Sequence, residues 1–225
     1  LEVIEAESPV GAVGVQHENG LLELGLPEPL AAGQETTVRL RCEGRPNNWF
    51  AYLDNVKTPE ALTALQGQLF LLGFERGIFD RRYVALMPGI RWLPATGSDV
   101  GRGDTRTRPR DFFEVDLTVE LPDGWLAAGP GRRQNVGGAE GARFRFDPGA
   151  PVHEVALLAS LFESFAVDIE DVHLELLLSP KHTKNVEVLE DAAGEVRTWI
   201  EERLADAAGA GLGYPYDGFT LVEVP

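Results

Sequence analysis

Phe113-Glu114-Val115-Asp116-Leu117-Thr118-Val119-Glu120-Leu121 alternates apolar and polar residues without a break. Successive side chains of a strand point to opposite faces, so this stretch predicts a strand with one dry and one wet face. Working outward, Thr37-Val38-Arg39-Leu40-Arg41-Cys42 repeats the pattern. Short apolar runs at 10–15, 21–26, 83–87, 144–146, 155–161 and 172–178 are set apart by Gly, Pro and Asn. Short strands punctuated by turn residues pack as layered sheets, so the fold class is mainly β, a multi-sheet β-sandwich.

Two stretches depart from this period. Thr58 (N-cap), Pro59 and Glu60, followed by Leu62, Leu65 and Leu69, open a short helix. Between 185 and 208, Val188, Leu189, Ala192, Val196, Trp199, Ile200 and Leu204 recur at three- and four-residue spacing, with Gly209 at the C-terminal cap position. A strand at 219–224 follows, with apolar residues on both of its sides. The chain therefore divides into a β-sandwich domain, 1–170, and a strand-helix-strand α+β piece, 171–225, with the boundary near Asp171. Trp199 is expected to pack against that last strand or the β domain. The strand itself, apolar on both sides, is expected to drive self-association through 171–225.

The 225 residues carry a formal charge of −16, with 44% apolar and 25% charged residues. Such a chain buries roughly 70% of its unfolded surface, enough to fold without a disulfide or metal. Its acidity argues against nucleic acid, which requires clustered cations. Cys42 is the single cysteine, which excludes an intrachain disulfide, a zinc ribbon and a Cys-x-x-Cys site. No apolar run approaches the roughly 20 residues that span a bilayer, so a soluble chain is expected. The start, Leu1-Glu2-Val3-Ile4, has neither an initiator Met nor a signal pattern, and the expectation is a piece of a longer protein.

Candidate chemistry is sparse. His153-Glu154 begins like His-Glu-x-x-His, but Leu157 stands where the second His is needed. His173 and Glu175 share one strand face with His182 nearby; a wet face Asp171-His173-Glu175 opposite a buried Val172-Leu174-Leu176 is the better account. With His17 and His153 they form no three-ligand set. None of Ser8, Ser98, Ser160, Ser164 and Ser179 lies in Gly-x-Ser-x-Gly. Cys42 reads as a semi-buried structural thiol, and the Gly209-Gly211-Gly213 run follows a helix where a dinucleotide loop would precede one. Arg102-Gly103-Asp104 falls in a loop, 96–110, whose Arg102, Arg106, Arg108 and Arg110 suit carboxylates of a neighbouring domain or solvent. Trp49, Trp92, Trp125 and Trp199 are core-sized anchors before they are sugar platforms. No catalytic or metal residue is assigned, and the chain alone is expected neither to bind zinc tightly nor to cleave peptides.

Arg91-Trp92-Leu93-Pro94, then the strand from Phe113 ending in Pro122-Asp123-Gly124-Trp125, resembles the N-terminal β domain of aminopeptidase N-type (gluzincin) zinc metallopeptidases. Phe144-Arg145-Phe146-Asp147-Pro148 and 152–160 are similar to the last strands of that domain. Tyr214-Pro215-Tyr216 with 221–225 is similar to the opening of the family's thermolysin-like catalytic domain. The resemblance implies a saddle-like, non-catalytic β domain that shapes the active-site cleft for peptide substrates, with the rest of the catalytic domain as its partner. Zinc, its His-Glu-x-x-His and the Gly-x-Met-Glu-Asn motif would lie downstream, so no cofactor is expected in this chain. The family's amino-group anchor, a Gln or Glu, has no counterpart in 84–91. The motifs are closest to bacterial forms attached to ABC-type permease segments, which would supply any membrane attachment. The alternative is a stand-alone β-sandwich module binding protein or carbohydrate.

Overall fold

The computed structural model describes residues 2–18, 21–46, 79, 81–87, 92–94, 112–137, 141–169, 172–183 and 190–224. The helix expected from Thr58, the arginine-rich loop 96–110, Trp49 and Ser98 lie outside the described residues. The described strands fall into two compact units, β1–β5 in one and everything from β6 onward in the other.

The first unit holds β1 (Glu2–Ser8), β2 (Gly11–Ala12), β3 (Gly14–Glu18), β4 (Leu21–Gly25) and β5 (Arg39–Glu43). One sheet has the order β2-β1-β5, and β3 and β4 form a hairpin. Across β1 and β5, Glu5 faces Arg41 and Glu7 faces Arg39, while Ala6 faces Leu40 on the other side. Opposite charges directly across an antiparallel pair fix its register, so three glutamates do not prevent β1 from being a strand.

The second unit holds β6 (Tyr83–Leu86), β7 (Leu117–Leu121), β8 (Leu126–Ala128), β9 (Arg133–Asn135), β10 (Ala142–Phe146), β11 (Leu157–Ser160), β12 (Glu163–Ile169), β13 (Val172–Leu178), helix α1 (Glu190–Gly209) and β14 (Gly218–Val222). They build three sheets, β7-β10-β9, β6-β11-β8 and β12-β13-β14. With multiple sheets and a single helix among the described residues, the chain is mainly β, as the alternation predicts. The core is made of Ala85, Leu86, Ala127, Ala159 and Leu157 against Trp125, Phe144, Phe146 and Leu177. Small residues let the layers approach closely: a Cβ on Gly129 would sit 2.8 Å from the Phe146 ring. Gly141 (φ 112°) returns the chain into β10, where a Cβ would meet the Leu121 carbonyl oxygen at 2.4 Å.

Several expectations are corrected. The alternating stretch from Phe113 pairs as a ladder only from Leu117; Phe113 itself bridges Val152. Helix α1 ends in a Schellman motif, with Leu212 N–H on the Ala207 carbonyl (2.8 Å) and Gly211 N–H on Ala208 (2.9 Å). Gly211, at φ 76°, is therefore the cap glycine, and Gly209 is the last helical residue. Trp199 is 61% exposed and packs against neither the last strand nor a core, because its side of the helix faces solvent. Beyond these corrections, β12 and β13 pair antiparallel from Glu163↔Leu178 to Ile169↔Val172.

Candidate functional site

Among the described residues the buried charge of the second unit, Glu175, lies in the sheet β12-β13-β14. In β12-β13-β14, residues directly opposite one another share a face, giving one row of Ala166, Glu175 and Thr220 and another of Phe165, Leu176 and Leu221. Along β13 the buried positions are Glu175 and Leu177, while Val172, Leu174 and Leu176 are only half-buried. This inverts the expected assignment, in which Asp171-His173-Glu175 is the wet face. The physical reason is a partner: a carboxylate is buried at acceptable cost only when its charge and lone pairs are satisfied.

Arg133 supplies that partner. Its guanidinium forms an ion pair with Glu175, the two side chains being 15% and 6% exposed. Ser164 Oγ of β12 donates to the same Glu175 oxygen. The other guanidinium nitrogen donates to the Ala127 carbonyl of β8 at 3.1 Å, and the cation lies 5.3 Å from the Phe144 ring centroid. One side chain on β9 thus touches all three sheets of the unit. Nothing in the turn-rich Arg132-Arg133 passage signals this, since its partner lies 42 residues further on.

Two further pairs flank it. His173 Nδ1 meets Asp168 Oδ1 at 2.6 Å, and this hydrogen bond holds the Asp168 carboxyl below the usual carboxylate range. Beyond β13, His182 pairs with Glu223, whose second carboxylate oxygen accepts the Ser179 N–H at 2.8 Å. The Glu223 carbonyl accepts from the Tyr83 hydroxyl at 3.0 Å. Burial, then the charge of Glu223, pushes the Tyr83 hydroxyl up to about 12.

The structure thus brings His173 and Glu175 to one face but gives each its own partner, and His182 turns to Glu223. No group of three His, Cys, Asp or Glu side chains among the described residues could hold a metal ion. His153 is exposed, with its ring 5.7 Å from Phe112. His17 is exposed on β3, and Cys42 is partly buried on β5. Ser8 and Ser160 donate to the Gly11 and Arg82 carbonyls. Trp125 is a core residue, as expected of it. Paired and hydrogen-bonded in this way, Asp168, His173, Glu175, His182 and Glu223 tie strands together.

On the opposite face of the sheet Ile169 is buried, but the apolar residues beyond it are more open. Phe165, Phe219 and Leu221 are 38%, 43% and 41% exposed, with Val167, Leu174 and Leu176 half-buried between them. A shallow cleft of about 150 Å³ lines the inner side of β14 between Ala128, Gly129, Leu158 and Thr220. A second hollow, about 390 Å³, lies in the first unit between Val10, Leu26, Pro29 and Glu35. No helix among the described residues is long and apolar enough to cross a membrane.

No family profile matches the chain, and no curated protein sequence does. Solved structures do. The M1 zinc metallopeptidase from Deinococcus radiodurans superposes with a TM-score of 0.60 at 17% identity, over 100% of this chain and 46% of that one. A mutant of that enzyme bound to a Tyr-Ser-Ala substrate gives the same score, identity and coverage. A two-domain M1 zinc metallopeptidase mutant bound to L-tryptophan gives 0.58 at 17% identity, over 100% and 47%. Over its full length this chain has the fold of just under half of an M1 zinc metallopeptidase.

Proposed function

We propose that this chain is the non-catalytic N-terminal region of an aminopeptidase N-like zinc metallopeptidase, walling one side of the cleft that receives peptide substrates. In this reading 1–170 is the β domain and 171–225 opens the catalytic domain, β12 of the first completing the sheet of the second. The observation that carries the reading is the outward apolar face of β12-β13-β14. Each large apolar side chain taken from water stabilises by roughly 1.5–3 kcal/mol, so a face holding six of them is built to be covered. The likeness to chains about twice as long supports the same view, since such chains have further elements to lay on it.

Zinc and its ligands belong, in this reading, to the downstream part, and membrane attachment to permease segments elsewhere in the longer protein. The residues here would position and exclude: the Arg133–Glu175 joint sets the sheet, and β14 offers its apolar side to the next layer. Alone, the chain would cover that side by self-association, read by light scattering against a version ending near Leu178. The direct test is the coding sequence beyond residue 225. A His-Glu-x-x-His within the next domain is the expected result; an open reading frame that ends without one overturns the proposal and favours a stand-alone module.

A further inference from the structure

A three-stranded sheet can pack on its neighbours through either face, and here the choice made is the unexpected one. The apolar row Phe165, Val167, Leu174, Leu176, Phe219 and Leu221 holds more hydrocarbon than the row turned inward, where Leu177 and Val222 stand among Ser164, Asp168, His173, Glu175, Gly218 and Thr220. Hydrophobic burial alone therefore selects the wrong face. The groups that select the observed one are few. On the inner face they are Glu175, Arg133 and Ser164, with Asp168 and His173 paired to each other toward the rim. Arg132 gives its backbone N–H to Asp217, and a Cβ on Gly218 would lie 3.2 Å from that same nitrogen, so β14 lies against β9 here.

From this arrangement we infer that the Arg133–Glu175 pair is a face selector: it turns the polar row of β12-β13-β14 inward and the apolar row outward. The pair contributes specificity of arrangement more than net stability. A buried ion pair regains little beyond its desolvation, yet the wrong face would leave Arg133 buried beside leucines with no anion. Because the side-chain period of a strand is two, there is no intermediate arrangement: Glu175 and Leu176 exchange sides together or not at all. The inference concerns the chain itself and holds whether or not the proposed function is correct.

The test reads which face is open. In a Cys42→Ala background, single cysteines are placed on neighbouring positions of β14, Leu221→Cys on the outer face and Thr220→Cys on the inner, and their labelling rates by a maleimide are compared. With the pair intact, at dilutions where light scattering shows a monomer, the outer position reacts at least about tenfold faster, the ratio expected if opening of the inner face costs about 1.4 kcal/mol. In Arg133→Met/Glu175→Leu, which replaces the pair by apolar groups of similar volume, the ratio falls to near one or inverts while circular dichroism keeps the strand signal. Glu175→Gln keeps the shape and the Ser164 contact but not the charge, and lowers the ratio about threefold. A folded double variant whose ratio stays within about twofold of the parent overturns the inference. Should the double variant not fold, Glu175→Gln decides alone, and an unchanged ratio there is equally fatal.

Discussion

The sheets β6-β11-β8 and β12-β13-β14 belong to one unit and have three strands each, yet their apolar residues go to different places. In the first, Ala85, Leu86, Ala127, Ala128, Leu157 and Ala159 are all buried, and the sheet is finished. In the second, a charged residue is buried while Phe165, Phe219 and Leu221 face outward. A sheet whose hydrocarbon points away from its neighbours is half of a core. On the proposed reading, the difference separates the part of the fold closed among these strands from the part that another layer covers.

The largest effects should come from the finished part. Phe146 is fully buried beneath Gly129, so Phe146→Ala should cost about 3–5 kcal/mol in denaturant midpoint at constant slope. A loss under about 1 kcal/mol would mean that the sheets do not meet there. Glu175→Ala should be nearly as damaging, about 3–5 kcal/mol, because it strands the buried Arg133 cation without an anion. If Glu175→Ala proves neutral, the joint between the sheets is not where the contrast places it.

Tyr83→Phe removes one hydrogen bond, to the Glu223 carbonyl, and should cost about 1 kcal/mol near neutral pH. It also gives a signed pH test. The native hydroxyl is raised to about 12 from the ordinary value near 10, so the unfolded chain loses that proton first. The stabilisation is complete below about pH 10 and fades as pH rises toward 12. Tyr83→Phe should flatten that decline in alkaline melts; an unchanged slope contradicts the burial of the hydroxyl. At the acid end, Asp168 is lowered chiefly by its hydrogen bond with His173, so its stabilisation is present above about pH 4 and lost as pH falls through the lowered native value. Asp168→Asn should soften the acid transition, and an identical acid midpoint would count against the pair. Smallest is Trp199→Ala: at 61% exposure it should cost under about 1 kcal/mol in this chain.

Much of the fold was legible in the sequence because pattern and burial agree there. The run 172–178 is β13 residue for residue, and 21–26 differs from β4 only at its end. The strands that escaped reading are β1, β8, β9 and β12. β8 and β9 are three residues long, too short for a period to show, while β1 rests on partners far along the chain, Arg41 and Arg39, and β12 is an edge on which only Ile169 is deeply buried. Trp199 was misplaced for a related reason: periodicity shows that a helix has an apolar side without saying what meets it. The face of β13 was misread because alternation ranks residues by hydropathy, and a carboxylate ranks as wet unless its Arg133 is known. Of the candidate residues, the sequence could not show that Glu223 would take His182 for a partner.

The central claim is that the outer face of β12-β13-β14 is unfinished in this chain and covered in a longer one. Labelling of Leu221→Cys, in the Cys42→Ala background, measures it directly in the 225-residue chain and in a protein extended by the downstream coding sequence. At dilutions where light scattering shows the shorter chain to be monomeric, the account predicts that the thiol reacts freely there and at least about tenfold more slowly in the longer one, as burial of a side chain of this size requires. Equal rates in both would contradict it.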